Sequence, residues 1–412
     1  MILKNQNIAP QPYAAQPIPI VHIGLIGLGD RGQKTLKRYM IQEGVEVIAL
    51  CDLSDENINK GEAILQAYHK NSADHFSDAE GWKHLCERDD IDLVIICTDW
   101  LKHTPMAVYA MKQGKHVAVE VPAATTVEDC WQLIETAEAT HRHCIMLENC
   151  CYDTFALCTL EMSRQGMFGD IMHVEGAYIH DLRKRCFIPQ EGEKSTWESR
   201  FYQKHTGNPY PTHGIGPACQ LLGINHSDKM VRIVSMSSAQ KGLTEYVTQK
   251  FGADSDIART DYKLGDMSTS IIMTEQGKTI MLQHCVNVPR PYSRIQSLTG
   301  TKGYACKYPT PTIAFDGEKL QVVTDEALDE LLKKYEPSWM KQYDADGERL
   351  GVNNMMNYRM DRRLIEALQK GEPLDMSVYD AAEWSCLVEL SEKSVVGGNI
   401  PIDIPDFTKA RK

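Results

Sequence analysis

Gly27, Gly29 and Gly32 stand in the spacing G-x-G-x-x-G, and Asp52 follows twenty residues after the last of them. Glycines so placed allow a tight turn and close approach of backbone to a pyrophosphate. The helix that opens after them favours its negative charge, and a carboxylate at that distance accepts from both hydroxyls of a ribose. An unesterified ribose suits Asp52, whereas a 2′-phosphate is repelled, so the pattern points to NAD. A second group is His213, flanked by Pro211-Thr212 and Gly214. Its imidazole titrates near neutral pH and its neighbours suggest a fixed, closely approached turn, which suits a general base; the plainer alternative is a structural histidine bonded to backbone. Tyr178 and Tyr210 offer phenols for the same work, or rings that pack and bond one carbonyl. Tyr292, between Pro291 and Ser293, offers a ring and a hydroxyl at the start of a strand. Glu148 is a secondary acid–base candidate that equally suits pairing with a nearby cation. The His141/His143 and Cys150/Cys151 pairs lack company at metal-site spacing, so no metal is expected.

The elements that must position these groups follow from the apolar pattern. The run His22 to Ile26 reads as a strand, Gln33 to Ile41 as a helix and Val45 to Cys51 as a strand ending at Asp52. Helices near Glu56 to Tyr68 and Ala79 to Cys86 precede a continuous apolar strand, Asp92 to Cys97, of the kind buried on both faces in a parallel sheet. Thr98 to His103 then forms a loop at that strand's carboxyl end, where ligands of open α/β sheets bind. Helix Pro105 to Lys112, strand Lys115 to Val121, helix Val127 to Thr140 and strand Cys144 to Asn149 complete the first domain. Beyond it come a helix near Thr154 to Gln165 and alternating segments, His173 to Ile179, Val231 to Met236, Ser268 to Thr274, Lys278 to Gln283 and Ser293 to Leu298. These suit an open, mainly antiparallel sheet with one covered face. Asp181 to Pro211 and Val286 to Pro291 read as site-forming loops, and helices near Asp325 to Lys334 and Asn353 to Gln369 precede a tail rich in proline and aspartate. The expected architecture is α/β: an extended arm over residues 1–19, a Rossmann dinucleotide-binding domain over 20–150 and an α/β substrate-binding domain over 151–412.

Composition sets the class of partner. At 412 residues, with 42% apolar and 24% charged residues, the chain exceeds what one core usually organises. A net charge of −12 disfavours nucleic acid or an anionic membrane as partner. Thirteen cysteines without C-x-x-C pairs, several inside apolar runs, read as reduced, buried thiols. Met1 to Asn7 lacks the apolar core of a secretory signal and no later run is long enough to span a bilayer, so a soluble protein is expected with its compartment undetermined. The proline-rich arm could lie across its own domain or across a neighbouring subunit of a homo-oligomer.

The glycine turn with Asp52, His103 opening a helix, and Gly114 through Pro122 resemble the sugar-oxidoreductase family that includes glucose–fructose oxidoreductase and inositol dehydrogenase. Those dehydrogenases have Glu-Lys-Pro where this chain has Glu120-Val121-Pro122, so their catalytic lysine is missing. The stretch Gly207 to Pro217, with Glu120 to Ala124, Arg290 to Ser293, Leu374 to Ala382 and Ile404 to Thr408, resembles glycoside hydrolase family 109 over nearly all of the chain after the arm. The resemblance implies an NAD-dependent α-N-acetylgalactosaminidase. It implies NAD contacts from Gly27, Gly29, Asp30, Arg31, Asp52, Trp100, Leu101, Lys102, His103, Glu120, Val121 and Asn149. It implies catalytic or sugar contacts from Tyr178, Tyr210, Pro211, Thr212, His213 and Tyr292. One departure is visible: the family's arginine directly after a tryptophan is Glu198 here, and either Arg200, two residues on, serves in its place or the sugar pocket differs.

Most glycosidases set two carboxylates across the bond, with NAD-dependent enzymes as exceptions, and no such pair stands out here. The implied route oxidises the sugar at C3, which acidifies the C2 proton and permits elimination at C1, followed by water addition and re-reduction. It requires bases for the C3 hydroxyl and for C2, and His213, Tyr210 and Tyr178 are the candidates, with the assignment among them open. The alternatives are an NAD-dependent sugar oxidoreductase and a non-catalytic NAD-binding regulator.

Overall fold

A computed structural model describes residues 15–189 and 195–409. The chain forms two compact units, and neither is continuous in sequence. The first takes residues up to Asp153, Pro337–Ser385 and the chain from Phe407 onward; the second takes Thr154–Glu336 and Cys386–Asp406. A simple division near residue 150 therefore describes where the chain first leaves the nucleotide-binding unit, but not its return.

The sheet of the first unit comprises β1 (Val21–Ile26), β2 (Val45–Cys51), β3 (Asp74–Phe76), β4 (Leu93–Ile96), β5 (His116–Val119) and β6 (Cys144–Met146). They lie in the order β3-β2-β1-β4-β5-β6, every pairing parallel, which is the doubly wound arrangement. Its helices are α1 (Asp30–Met40), α2 (Asp55–Ala67), α3 (Gly81–Cys86), α4 (Trp100–Lys112) and α5 (Val127–Thr140). The four residues of β4 are all buried, as are the four of β5, consistent with helices on both faces. Strand order reverses between β1 and β4, and the glycine turn after β1 and the loop after β4 both lie at the carboxyl ends of those strands.

Helix α4 begins earlier than proline placement suggests. Asp99 accepts a hydrogen bond from the Leu101 amide at 3.1 Å and so caps a helix that starts at Trp100 and carries Pro105 inside it. Trp100 through His103 therefore sit in its first turn rather than in a loop. Asn149 likewise stands in a short 3-10 turn, Asn149–Tyr152, beyond the end of β6.

The returning segment completes this unit. Arg38 on α1 donates to the fully buried Asp361 at 2.7 and 3.3 Å, and Asp361 belongs to the helix Met355–Lys370. The described end of the arm, residues 15–19, lies against the same helix, with the Ile18 amide donating to the Leu368 carbonyl at 3.0 Å. Residues 1–14 of the expected arm are outside the described residues.

The second unit holds β7 (Ile171–Ile179), β8 (Met230–Ser237), β9 (Ser268–Thr274), β10 (Thr279–Cys285), β11 (Ser297–Gly300), β12 (Gly303–Cys306), β13 (Thr312–Phe315), β14 (Gln321–Val323) and β15 (Ile402–Asp403). The sheet order is β14-β13-β12-β11-β7-β10-β9-β8-β15, and only β7 with β10 pairs in parallel. One face is covered, while Met236, Ile271 and Met273 on the other are exposed. The segment Ser293 to Leu298 is not one strand: Ile295 and Gln296 both have φ of 55°, which breaks the extended backbone between a single bridge at Ser293 and the start of β11. The interval expected as a loop from Asp181 to Pro211 contains the helices Arg183–Phe187 and Trp197–Tyr202. Among the described residues every cysteine is a free thiol, and all but Cys306 are buried. No described helix is long and apolar enough to cross a membrane.

Two outcomes test this architecture. Gly27 has φ of +89° and a Cβ there would lie 2.7 Å from the Cys97 carbonyl oxygen, whereas a Cβ on Gly29 meets nothing within 4 Å. Gly27→Ala is expected to cost about 1–3 kcal/mol and Gly29→Ala less than about 0.5 kcal/mol, read as shifts of the urea midpoint. The second concerns acid. Burial pushes His116 down to about 3 and His143 to about 4, and the neighbouring Arg142 adds to both shifts. The unfolded chain therefore binds more protons, so stability is complete above about pH 6.5 and is lost as pH falls below it, by up to roughly 1.4 kcal/mol per pH unit for each histidine. Denaturation midpoints between pH 7 and 5 check this, and His143→Phe is expected to flatten the slope.

Candidate functional site

In the first unit the three glycines do three different things. The Gly27 amide donates to the Cys51 carbonyl at 2.8 Å, and its positive φ turns the chain out of β1. A Cβ on Gly32 would fall 1.8 Å from the Gly27 carbonyl oxygen, so only glycine lets α1 pack on the turn. Gly29 is the N-cap of α1 and supplies no side-chain cap, which leaves first-turn amides pointing outward. The absent Cβ at Gly29 clears space that no protein atom fills.

Asp52 is tied to this turn. One carboxylate oxygen accepts from the Leu28 amide at 2.6 Å, and the other from the Ser54 amide at 2.9 Å and Asn57 Nδ2 at 3.2 Å. Three donors hold the carboxylate in one orientation beside the turn. An open cradle over outward amides, with an acceptor fixed next to it, fits the pyrophosphate and ribose of a dinucleotide.

The remaining expected cofactor contacts divide by exposure. Leu101 is 60% exposed and Lys102 is exposed on the first turn of α4, while Trp100 and Val121 are buried. The exposed Asp30 carboxylate pairs with Lys34 at 2.8 Å, and Arg31 lies 3.7 Å from the buried Glu120. His103 is 1% exposed, with Nδ1 2.8 Å from the Pro122 carbonyl and Nε2 3.1 Å from the Thr98 carbonyl. Burial lowers its pKa, and a neutral ring has one N–H, so one of these contacts is a donated bond and the other is not. His103 thus holds the end of β4 to the Val121–Pro122 segment. Asn149 Nδ2 donates to Asn357 Oδ1 at 2.7 Å, and the fully buried Glu148 accepts from the Cys150 amide at 3.0 Å.

In the second unit the chemistry-bearing residues converge because a helix lies directly on a strand. Tyr210-Pro211-Thr212-His213 leads into the helix Thr212–Leu222, whose Gly214 meets Gly176 of β7. A Cβ on Gly176 would fall 2.3 Å from the Gly214 carbonyl oxygen, and one on Gly214 would fall 2.6 Å from the Ala177 amide nitrogen. Backbone on backbone brings His213, in the first helical turn, beside Tyr178, two residues along β7 and on the same face as Gly176. The ring centroids of Tyr178 and His213 are 5.1 Å apart, and those of Tyr178 and Tyr210 are 4.7 Å apart. Tyr210 Oη lies 3.4 Å from His213 Nε2.

The approach to the helix is equally fixed. The Asn208 amide donates to Ser391 Oγ at 2.8 Å, Asn208 Oδ1 accepts from the Tyr210 amide at 3.1 Å, and the buried Pro211 accepts on its carbonyl from Gly214 and Ile215. Thr212 is fully buried. Tyr292 is exposed at the rim, its ring 6.5 Å from that of Tyr178. Arg200 is exposed, and its guanidinium donates to the Ser195 carbonyl at 2.6 Å, while the buried carboxylate after Trp197 is Glu198, 4.0 Å from Arg185.

One member of the cluster escaped the sequence reading. His180 stands two residues beyond Tyr178, its Nδ1 is 3.0 Å from Tyr178 Oη, and its ring is 5.0 Å from that of Tyr292. Burial lowers the His180 pKa, with the charges of Arg185 and His213 adding to the effect. The alternation of β7 was the signal that could have found it: positions i and i+2 of a strand share a face. The result is two tyrosine–histidine pairs, Tyr210 with His213 and Tyr178 with His180, on one patch. Imidazole and phenol groups in contact can each donate or accept a proton.

A model described as the C-terminal domain of glycosyl hydrolase 109 matches residues 152–412, and one described as an oxidoreductase family with an NAD-binding Rossmann fold matches residues 21–148. The alpha-N-acetylgalactosaminidase of Bacteroides fragilis is 54% identical over 398 residues, covering 96% of this chain and 94% of that protein. Glycosyl hydrolase family 109 protein 2 of Phocaeicola vulgatus is 52% identical over 394 residues, 95% of each chain. Among solved structures, levoglucosan dehydrogenase in complex with NADH and L-sorbose superposes with a TM-score of 0.70 at 17% identity, covering 94% of this chain and 100% of that one. The myo-inositol dehydrogenase of Lactobacillus casei in complex with NAD(H) and myo-inositol gives 0.63 at 18%, covering 95% and 100%. These two likenesses are of fold. The match to the family model over residues 152–412, and relatives more than half identical over nearly their whole length, establish that the chain belongs to glycosyl hydrolase family 109, with an NAD-binding Rossmann domain at its start.

Proposed function

We propose that this chain hydrolyses glycans ending in α-linked N-acetylgalactosamine by an oxidation and re-reduction cycle at C3 of the sugar. The carrying observation is the pair of tyrosine–histidine contacts, at 3.4 and 3.0 Å, in a chain that also has a glycine cradle with Asp52 fixed beside it. The relative from Bacteroides fragilis, an alpha-N-acetylgalactosaminidase at 54% identity, supports the sugar.

Gly27, Gly29, Asp30 and Arg31 at the head of α1, Asp52, the first turn of α4 from Trp100 to His103, Glu120, Val121 and Asn149 would hold the dinucleotide. When bound, NAD supplies a hydride acceptor and donor for the C3 position. The protein's own groups move the protons. His213 is the leading base, with Tyr210 Oη within reach of its Nε2 to pass on or return a proton. Tyr178, joined to His180, is the second acid–base pair, serving the C2 proton or the oxygen of the leaving group. Tyr292 offers a ring and a hydroxyl at the exposed rim to receive the sugar. Val121 stands where a lysine would be needed for a simple alcohol dehydrogenase, which supports reading the redox step as internal to hydrolysis.

The test is incubation with an aryl α-N-acetylgalactosaminide in deuterated water, following aryl release, NADH absorbance and label at C2. Aryl release with C2 label and no net NADH is the expected outcome, and NADH accumulation in its place would make the chain a sugar oxidoreductase. His213→Ala is expected to lower kcat/KM by about 10²–10⁴-fold with NAD still bound. Separately, Gly29→Ala, which leaves the fold intact, is expected to weaken NAD(H) binding at least about tenfold by filling the cradle, measured by fluorescence titration of the cofactor-free protein.

A further inference from the structure

The row of side chains beside Tyr178 contains polar groups that the chemistry above does not use. Tyr178 on β7 is in register with His284 on β10, and His284 with Ser268 on β9. Cross-strand neighbours in register project from the same face, so the three stand side by side under the helix Thr212–Leu222. The Tyr178 and His284 rings are 6.4 Å apart between centroids and inclined at 37°.

His284 is 1% exposed and Ser268 is 2% exposed. Neither His284 Nε2 nor Ser268 Oγ has a hydrogen-bond partner. Burial alone pushes the imidazole down to about 3, so the ring is neutral and carries a single N–H. A buried polar atom left without a partner costs about 1–3 kcal/mol. Of the neighbouring positions on the same face, Leu282 and Ile280 on β10 and Ile272 on β9 are apolar and fully buried, and Ser270, between Ser268 and Ile272, is fully buried but hydrogen-bonded to Ser235 at 2.7 Å. A phenylalanine and an alanine in the row would therefore suit the core better than the residues present. Stability does not account for His284 and Ser268, and their nearness to Tyr178 supplies another reason for them.

We propose that His284 and Ser268 together bind a buried water molecule, and that His284 so held is a positioning residue fixing the ring and phenol of Tyr178. A water between Nε2 and Oγ satisfies both atoms, since serine can donate or accept and the water can do either. It also locks the imidazole in one tautomer and one rotation. The locked ring then forms one wall for Tyr178, which also packs against His213 and Tyr210, while His180 holds the phenol oxygen. The assignment rests on the reading of Tyr178 as an acid–base residue.

The test compares His284→Phe, His284→Gln and Ser268→Ala in the full chain. For His284→Phe the thermal midpoint is expected to stay level or rise, while kcat on the aryl glycoside falls about tenfold or more with KM within about twofold. His284→Gln, which keeps a donor and an acceptor, is expected to recover most of the lost kcat. Unchanged kcat in His284→Phe, or a lowered midpoint that the glutamine variant does not restore, would overturn the proposal. A readout free of turnover separates it from the functional reading. The ¹³Cζ resonance of Tyr178, assigned by its loss in Tyr178→Phe, is expected to shift in His284→Phe and in Ser268→Ala without substrate. A shifted resonance in a chain that never cleaves the glycoside would uphold the positioning role and overturn only the glycosidase, and an unmoved one would overturn the positioning role. A crystal structure is expected to place one water within about 3.2 Å of both Nε2 and Oγ, and density absent there would overturn the water site.

Discussion

The contact of Gly176 with Gly214 is the constraint on which the second unit's chemistry depends. Side chains normally keep a helix and a sheet well apart, but here a helix carbonyl lies where a strand Cβ would be. That contact fixes the height of the helix Thr212–Leu222 above β7, and with it the distance between an imidazole in the first helical turn and a phenol two residues along the strand. The preceding loop, bonded to Ser391 through Asn208, fixes the angle at which Tyr210 enters. Four aromatic groups of different origin in sequence thus meet by backbone geometry, with little left to side-chain freedom.

The first unit uses glycine in a related way, with the emphasis reversed. Gly27 and Gly32 bring protein against protein, while Gly29 keeps protein away. Asp52 is locked by amides of the turn and of the residues after it, so its orientation follows from β1 and β2 pairing in register. His103 performs the same service on the other side of the strand-order reversal. Its two ring nitrogens tie the end of β4 to the segment that follows β5.

How much of this was legible in the sequence depended on the length of each pattern. Apolar strands of three to seven residues, separated by helices, made β1, β2, β4, β5 and β6 readable, whereas β3, three residues long and largely polar and exposed, carries no such pattern. The helix carrying His213 was not, because Gly214, Gly216 and Pro217 all disfavour helix, and packing on β7 overrides their propensity. Strands β12 to β14 are three or four residues each with mixed exposure, too short to show alternation. His180 was hidden by the end of its strand, and His284 by standing in an apolar run where nothing in composition marks a polar residue as unpaired. Arg200, which the family resemblance offered for the sugar pocket, donates to the Ser195 carbonyl from a neighbouring turn.

The discontinuity of the first unit carries a consequence for how the protein is made. The ribosome completes β1 through β6 within the first 146 residues, but the helix that brings Asp361 to Arg38 is not synthesised until after the whole of Thr154–Glu336. Until then α1 presents a cation whose burial in the finished unit depends on a carboxylate still to come. The nucleotide-binding unit therefore reaches its final packing late in synthesis, so a nascent chain halted between the units has the cofactor fingerprint without the scaffold that finishes it.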